Sequence, residues 1–148
     1  MKYSKATNYA LHTMVYLTMV PKGQSVGVEP LAKVQNLSPT YLSKILTKLT
    51  KDGLVESTPG VKGGYRIRKK RESITFLDVI EAVEGQHALF YCSMEHDAFT
   101  RNHDCLIEEV MSNAEEKMKN ELSQQYIVDI AEKIDTTHHA NVFLGNEG

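Results

Sequence analysis

A chain of 148 residues with 41% hydrophobic and 24% charged side chains can bury one compact core, or a small core plus an oligomerising arm. Its formal charge of -2 conceals a division, since residues 1–75 hold 13 Lys and Arg against 4 Asp and Glu, and residues 76–148 hold 4 against 15. The longest apolar run, Met14 to Val20, is broken by Thr18 and too short for a bilayer, and the opening residues form no signal peptide, so no membrane role is expected and a cytoplasmic protein is.

In chain order, Ser4 can cap a helix running to about Val20, with Ala6, Tyr9, Ala10, Met14 and Leu17 on one side. Pro21 to Gln24 is a turn, and Val28-Glu29-Pro30 opens a short second helix through Leu31, Ala32 and Val34. Gln35-Asn36-Leu37 is a tight corner into a third helix. There Ser38 can accept a hydrogen bond from the first free N–H groups, and Pro39 supplies a preset φ where no N–H is needed. Leu42, Ile45, Leu46 and Leu49 fall at i, i+3, i+4 and i+7 and must be buried. Thr40, Ser43, Lys44, Thr47, Lys48 and Lys51 take the opposite face, and Asp52-Gly53 ends the helix. Two helices joined by about four residues, the second with a basic and hydroxylated face, form a helix-turn-helix. Such a face suits the major groove, with Lys reaching phosphate or guanine and Ser or Thr reaching base edges, although a merely solvated helix face has the same composition.

Residues 54–58 and 65–69 read as strands flanking Pro59 to Gly64. Three glycines in that loop let the main chain approach a surface, and Lys62, Arg66 and Arg68 set cations where a minor groove or phosphate backbone would lie, so the hairpin reads as a wing. Residues 76–84 form a helix with Phe76, Leu77, Ile80 and Val83 buried, stopped by Gly85. Residues 86–103 have no period and include Cys92, His96 and His103. Asp104 or Asn102 can cap a long helix to about Leu122, whose stripe Ile107, Val110, Met111, Ala114, Met118 and Leu122 lacks a partner in a small winged domain. A twofold dimer supplies one. Ser123 is the expected cap of a last helix with Ile127, Ile130, Ala131 and Ile134 as its apolar side, followed by a loose tail from Thr136.

The run AKVQNLSPTYLSKILTKLTKDGLVESTPGVKGGYRI, the following ITFLDVIEAVEG and the opening YSKATNYALHTMVYL together resemble the Rrf-two (Rrf2) family of bacterial winged-helix transcriptional regulators, the IscR, NsrR and CymR group, over residues 1–85. The resemblance implies that Ser38, Thr40, Tyr41, Ser43 and Lys44 face the major groove, that Lys62, Gly63 and Gly64 belong to the wing, and that the protein is a dimer. Ser43 departs from members with a glutamate there, which affects the preferred base sequence. The expected fold is mainly α (α+β): a winged helix-turn-helix domain over 1–85, then a sensing loop, a long dimerisation helix and a C-terminal helix over 86–148. The candidate DNA-contact set is Ser38, Pro39, Thr40, Tyr41, Ser43, Lys44, Lys48, Lys62, Gly63, Gly64 and Arg66.

Cluster-binding members of that family carry three cysteines before the long helix, whereas only Cys92 and Cys105 are present here, with Ala98-Phe99 where the middle one is expected. An iron-sulfur cluster completed by His96 and His103, zinc on the same four residues, a Cys92–Cys105 thiol switch and two idle cysteines all stay open, and no cofactor is the leading expectation. The function expected is a sequence-specific DNA-binding regulator, repressing as a homodimer on a palindromic operator, with a redox signal, a small molecule or a protein as effector. A winged-helix module or thiol or metal sensor acting through a protein partner is the alternative. An enzyme is not expected, because nothing sets Cys92 and a His in a common pocket.

Overall fold

The computed structural model describes residues 2–92, 100–101 and 104–134. Helix α1 (Lys5–Met19) begins at Ser4, whose hydroxyl accepts from the Thr7 N–H, and it buries Ala10, Met14 and Leu17. The same face also carries buried Thr7, Thr13 and Thr18, which the apolar period does not mark. Each threonine has a polar partner. Thr7 donates to Glu84, Thr13 accepts from the Gln35 amide at 2.8 Å, and Thr18 donates to the Met14 carbonyl at 2.8 Å. Hydroxyls satisfied in this way can be buried at little cost.

Helices α2 (Val28–Val34) and α3 (Pro39–Lys51) form the helix-turn-helix, joined through Asn36, which sits at φ 56. Leu42, Ile45, Leu46 and Leu49 of α3 are buried as expected, and Gly53, at φ 77, turns the chain out of it. Strands β1 (Val55–Thr58) and β2 (Gly64–Ile67) pair antiparallel with Val55 opposite Ile67 and Thr58 opposite Gly64. The second strand is shorter than the expected 65–69 and begins one residue earlier. Val26, just before α2, adds a bridge to this hairpin: its N–H donates to the Tyr65 carbonyl at 2.9 Å and its carbonyl accepts from the Tyr65 N–H at 2.7 Å.

A single 3-10 turn (Arg71–Ser73) follows, from which Arg71 Nη1 donates to the Thr18 carbonyl at 2.7 Å near the end of α1. Helix α4 (Phe76–Glu84) starts with a capping box in which Thr75 and Asp78 satisfy each other's backbone N–H. Its fully buried residue is Val79, with Ile80 and Val83 beside it, while Phe76 and Leu77 are only half-buried. Ile80 and Val83 are thus buried as expected, and Val79 takes the place expected of Phe76 and Leu77, whose first-turn position leaves them at the edge of the core.

Two strands, β3 (Thr100–Arg101) and β4 (Asp104–Cys105), pair antiparallel with Thr100 opposite Cys105, inside and just past a stretch expected to be irregular. The long helix is α5 (Leu106–Leu122), and its N-cap is Cys105 rather than Asp104, because strand β4 runs through Cys105 and the helix begins directly after it. Ser123 donates to the Asn120 carbonyl and finishes α5; it does not start α6 (Ile127–Lys133), whose N-cap is Tyr126. The backbone instead aligns α6, since Phe76 N–H donates to Gln125 and Ile127 N–H to Ile74. Ile127 and Ala131 of α6 are thereby buried against the core of α1, although they come from the part of the chain expected to serve dimerisation. Among the described residues no helix is long and apolar enough to cross a membrane. His96, His103 and the tail from Thr136 lie outside the described residues.

Candidate nucleic-acid interface

The rotation of α3 is set by its four buried residues, which turn Thr40, Lys44, Thr47, Lys48 and Lys51 to solvent and leave Ser43 half-buried. Ser38 Oγ accepts from the Tyr41 N–H at 3.1 Å, and Pro39 follows it in the first turn. Both residues therefore define where the helix begins, at the end that would enter a groove. Tyr41 is 37% exposed, and its ring meets the Tyr9 ring edge-on, with centroids 6.0 Å apart and planes at 88°. One side of the ring is thus packed and the other is open. Thr47 donates to the Ser43 carbonyl at 2.8 Å, which satisfies its hydroxyl within the helix.

The candidate cations divide into two kinds. Among the described residues Lys44 and Lys62 stand exposed with no acid in ion-pair reach. Lys48 leans the other way: its Nζ donates to the Val83 carbonyl at 3.5 Å, at the negative end of α4, and its charge acts on Glu84. Arg66 faces Glu56 directly across the hairpin, with Nε donating to Oε1 at 2.8 Å, so its charge is largely neutralised. The opposed Glu56 was readable in the sequence once the hairpin register was known.

The wing glycines are required by the fold itself. A Cβ on Gly64, at φ 146, would come within 2.5 Å of the Val26 carbonyl oxygen, and one on Gly63 would collide with the Thr58 and Pro59 backbone. Close approach of backbone to backbone is therefore their first role. At the tip stands Val61, a fully exposed apolar residue beside Lys62 that the sequence reading did not single out.

The second candidate region lies around α5, which buries no residue within the chain. Its stripe splits into two lines. Met111 and Met118 turn inward to a cavity of about 120 Å³ shared with Leu89 and Phe90, Tyr3 Oη reaches Met118 Sδ at 3.7 Å, and Leu122 is half-buried. Ile107 and Val110 face out, 46% and 67% exposed, while Ala114, also exposed, borders that cavity. The segment after α4 is tied along this helix by two carboxylates, Glu115 accepting from the Leu89 N–H at 2.8 Å and Glu108 from the Cys92 N–H at 2.9 Å.

Cys92 and Cys105 both lie by the first turn of α5, half-buried and in no disulfide. The Cys105 thiol is held below its ordinary value chiefly by the Glu108 backbone N–H, helped by a hydrogen bond from Cys92 and by the Ile107 N–H, against partial burial and the Glu108 charge. The sulfur lies in the field of those amides without closing a capping bond to either. Among the described residues no three His, Cys, Asp or Glu side chains gather as metal ligands. Of the four residues considered for a cluster or zinc, only Cys92 and Cys105 lie within the described residues.

A family model described as Rrf2, iron-dependent transcriptional regulator, matches residues 3–133. YwgB of Bacillus subtilis (strain 168), described as an HTH-type transcriptional regulator, is 32% identical over 133 residues, which is 87% of this chain and 85% of that one. Protein rrf2 of Nitratidesulfovibrio vulgaris is 29% identical over 130 residues, covering 88% and 87%. Among solved structures, CymR (YrzC), the global cysteine regulator of B. subtilis, superposes with a TM-score of 0.71 at 25% identity, covering 91% of this chain and 99% of that one.

Proposed function

Because the chain belongs to the Rrf2 family of transcriptional regulators, DNA-binding proteins and not enzymes, we propose that it acts in the cytoplasm as a homodimeric repressor on a palindromic operator. The observation that carries this reading is the α3 surface: four buried side chains fix its rotation, and the face left outside presents Thr40, Ser43 and the unpaired Lys44. Ser38 and Pro39 start the reading helix, Tyr41 offers its open edge, and Lys62 brings a second unpaired cation from the wing. Lys48 and Arg66, engaged with α4 and Glu56, contribute less charge to phosphate than their exposure suggests.

Ile107, Val110 and Ala114 are the dimer face of α5, and Met111, Met118 and Leu122 support it from within the chain. Residues 1–85 are the reading head and 86–148 the sensing and dimerisation unit, with α6 returned to brace α1. A twofold pair sets two copies of α3 on half-sites about one helical turn, roughly 34 Å, apart. A compact dimer seated on a promoter blocks polymerase, which makes repression its simplest consequence.

Selection of bound duplexes from a random pool, followed by fluorescence anisotropy, tests the reading. Enrichment of an inverted repeat is expected, with affinity falling by about three to five powers of ten between ~50 and ~200 mM salt if about six to ten phosphates are neutralised. Recovery of no common sequence, or a nearly flat salt response, would overturn it.

A further inference from the structure

We propose that the turn before α2, Pro21 to Ser25, and the tip of the wing together form a groove that seats one sugar–phosphate strand of the duplex, with Lys22 and Lys62 as its cations. The inference rests on the DNA-binding reading above and extends its contact surface to a turn that lies outside the candidate contact set.

Shape is the first observation. Gly23, Gln24 and Ser25 on one side and Val61, Lys62 and Gly63 on the other line a groove of about 410 Å³. Its two walls are fixed to each other. The bridge between Val26 and Tyr65 joins the chain just past both of them, and Ser25 Oγ lies 3.0 Å from Thr58 Oγ1 of the hairpin. Each wall is also closed on itself, the Gln24 N–H donating to the Pro21 carbonyl at 3.2 Å and the Gly63 N–H to the Gly60 carbonyl at 3.0 Å. A partner therefore meets a preset cleft, and little ordering is needed to fill it. A Cβ on Gly23 would meet nothing within 4 Å, so that wall is open to an incoming strand.

Charge and hydrogen bonding name the partner. No acid lines the groove, Lys62 stands in it, and Lys22, exposed in the turn beside it, has no acid in ion-pair reach among the described residues. Among those residues the N–H groups of Gly23, Ser25, Val61 and Lys62 donate to no acceptor, and neither does the Gln24 side-chain amide. Unused donors beside two cations, with no carboxylate among them, suit an anion. Val61, fully exposed at the rim, adds an apolar surface that a free inorganic ion could not use. A sugar–phosphate strand satisfies both, its phosphate oxygens accepting from the donors and its deoxyribose packing on the valine methyls.

Base choice stays with α3, because phosphate contacts position a protein on the duplex and carry no sequence information of their own. The groove supplies register instead. Its walls share the Val26–Tyr65 bridge with the helix-turn-helix, so a strand seated there fixes how far along the half-site α3 comes to rest. In a twofold pair the groove occurs twice, once for each half-site.

The test uses the full chain and the duplex recovered by the selection above, with anisotropy read from ~50 mM to ~1 M salt. Lys22→Ala should lower the salt slope by about one for each chain bound, so that affinity falls about eightfold per chain near ~100 mM salt and returns toward the unaltered value near ~1 M. Gln24→Glu, which sets an acid inside the groove, should weaken binding further. Lys133→Ala, an equal loss of charge on α6, should leave the slope as it was. Duplexes in which one phosphate at a time is replaced by a neutral methylphosphonate should reveal a position that matters to the unaltered chain and not to Lys22→Ala. The proposal is overturned by an unchanged slope in Lys22→Ala, by an affinity loss equal at every salt concentration, by an equal effect of Lys133→Ala, or by the absence of any phosphate that separates the two proteins. Failure of the unaltered chain to bind any duplex would overturn the DNA-binding reading itself, whereas tight binding that ignores Lys22 and Gln24 would remove the groove alone.

Discussion

Thr7 and Glu84 meet across the contact between α1 and α4, the Thr7 hydroxyl donating to Glu84 Oε2 at 2.6 Å while the same oxygen accepts the Ser4 N–H at 2.7 Å. Burial opposes the charge on Glu84, but the bonds from Thr7 and Ser4 and the field of Lys48 outweigh it and hold the carboxyl below its usual value. A depressed acid contributes its full stability above the unfolded value and loses it as pH falls through the folded one. Stability should therefore decline on acidification from the ordinary carboxylate range downward. Thr7→Val should cost about 1 kcal/mol near neutrality and make that decline shallower, as read by urea unfolding at several pH values. Equal pH slopes in the two proteins would remove Glu84 from the explanation.

Lys44 on α3 and Lys62 on the wing are exposed cations with no acid in ion-pair reach among the described residues. Lys44→Glu together with Lys62→Glu should abolish duplex binding at moderate salt, with stability changed by no more than about 0.5 kcal/mol because both sites are on the surface. Lys44→Ala alone should lower the salt slope by about one. Arg66→Ala should change that slope less, since Glu56 already balances the guanidinium. Anisotropy across a salt series separates the three, and an intact affinity in the double variant would show that the contact surface lies elsewhere.

Gly64 and Gly53 both sit at positive φ, yet only Gly64 is crowded by backbone. Gly53→Ala should cost about 1–2 kcal/mol from left-handed strain alone. Gly64→Ala adds a collision with the Val26 carbonyl, so its loss should be larger, about 2–3 kcal/mol, and accompanied by weaker DNA binding as the hairpin is pushed off. Denaturant midpoints for the two variants check the order, and a reversed order would mean that the hairpin yields freely.

Val110 is exposed while Met118, two turns on, is turned inward. Val110→Glu should convert the dimer to monomer in sedimentation velocity and leave each chain folded. Met118→Glu should instead loosen the packing against Leu89 and Tyr3 and lower the melting temperature of the chain. If Val110→Glu remains dimeric, another face joins the copies.

Helix α3 was legible in full because its start, its apolar repeat and its stop all lie within one local stretch. Buried Thr7 and Thr13 were not, since their partners Glu84 and Gln35 are distant in sequence and a hydroxyl gives no periodic signal. The α5 stripe was read as one surface. Its division into an inward Met line and an outward Ile107–Val110 line depends on where residues 89–92 lie, which only the two glutamate tethers reveal. The candidate contacts followed the same rule. The exposure of Lys44 could be read from position alone, whereas the diversion of Lys48 to Val83 and of Arg66 to Glu56 required the neighbouring element. Cys105 as the cap of α5 was hidden because Asp104 is the better cap by type, and the two-residue strand that carries the chain to Cys105 gives no signal in the sequence.

The paired backbone bonds between Val26 and Tyr65 make the wing and the helix-turn-helix a single calliper of preset span. If the proposed surface is the one that grips DNA, a tool of such a gauge leaves the duplex to bend or twist to meet it. Sequences that deform easily between the gripped positions would then be favoured without being touched, and operator choice would follow the stiffness of DNA as well as the letters at its edges.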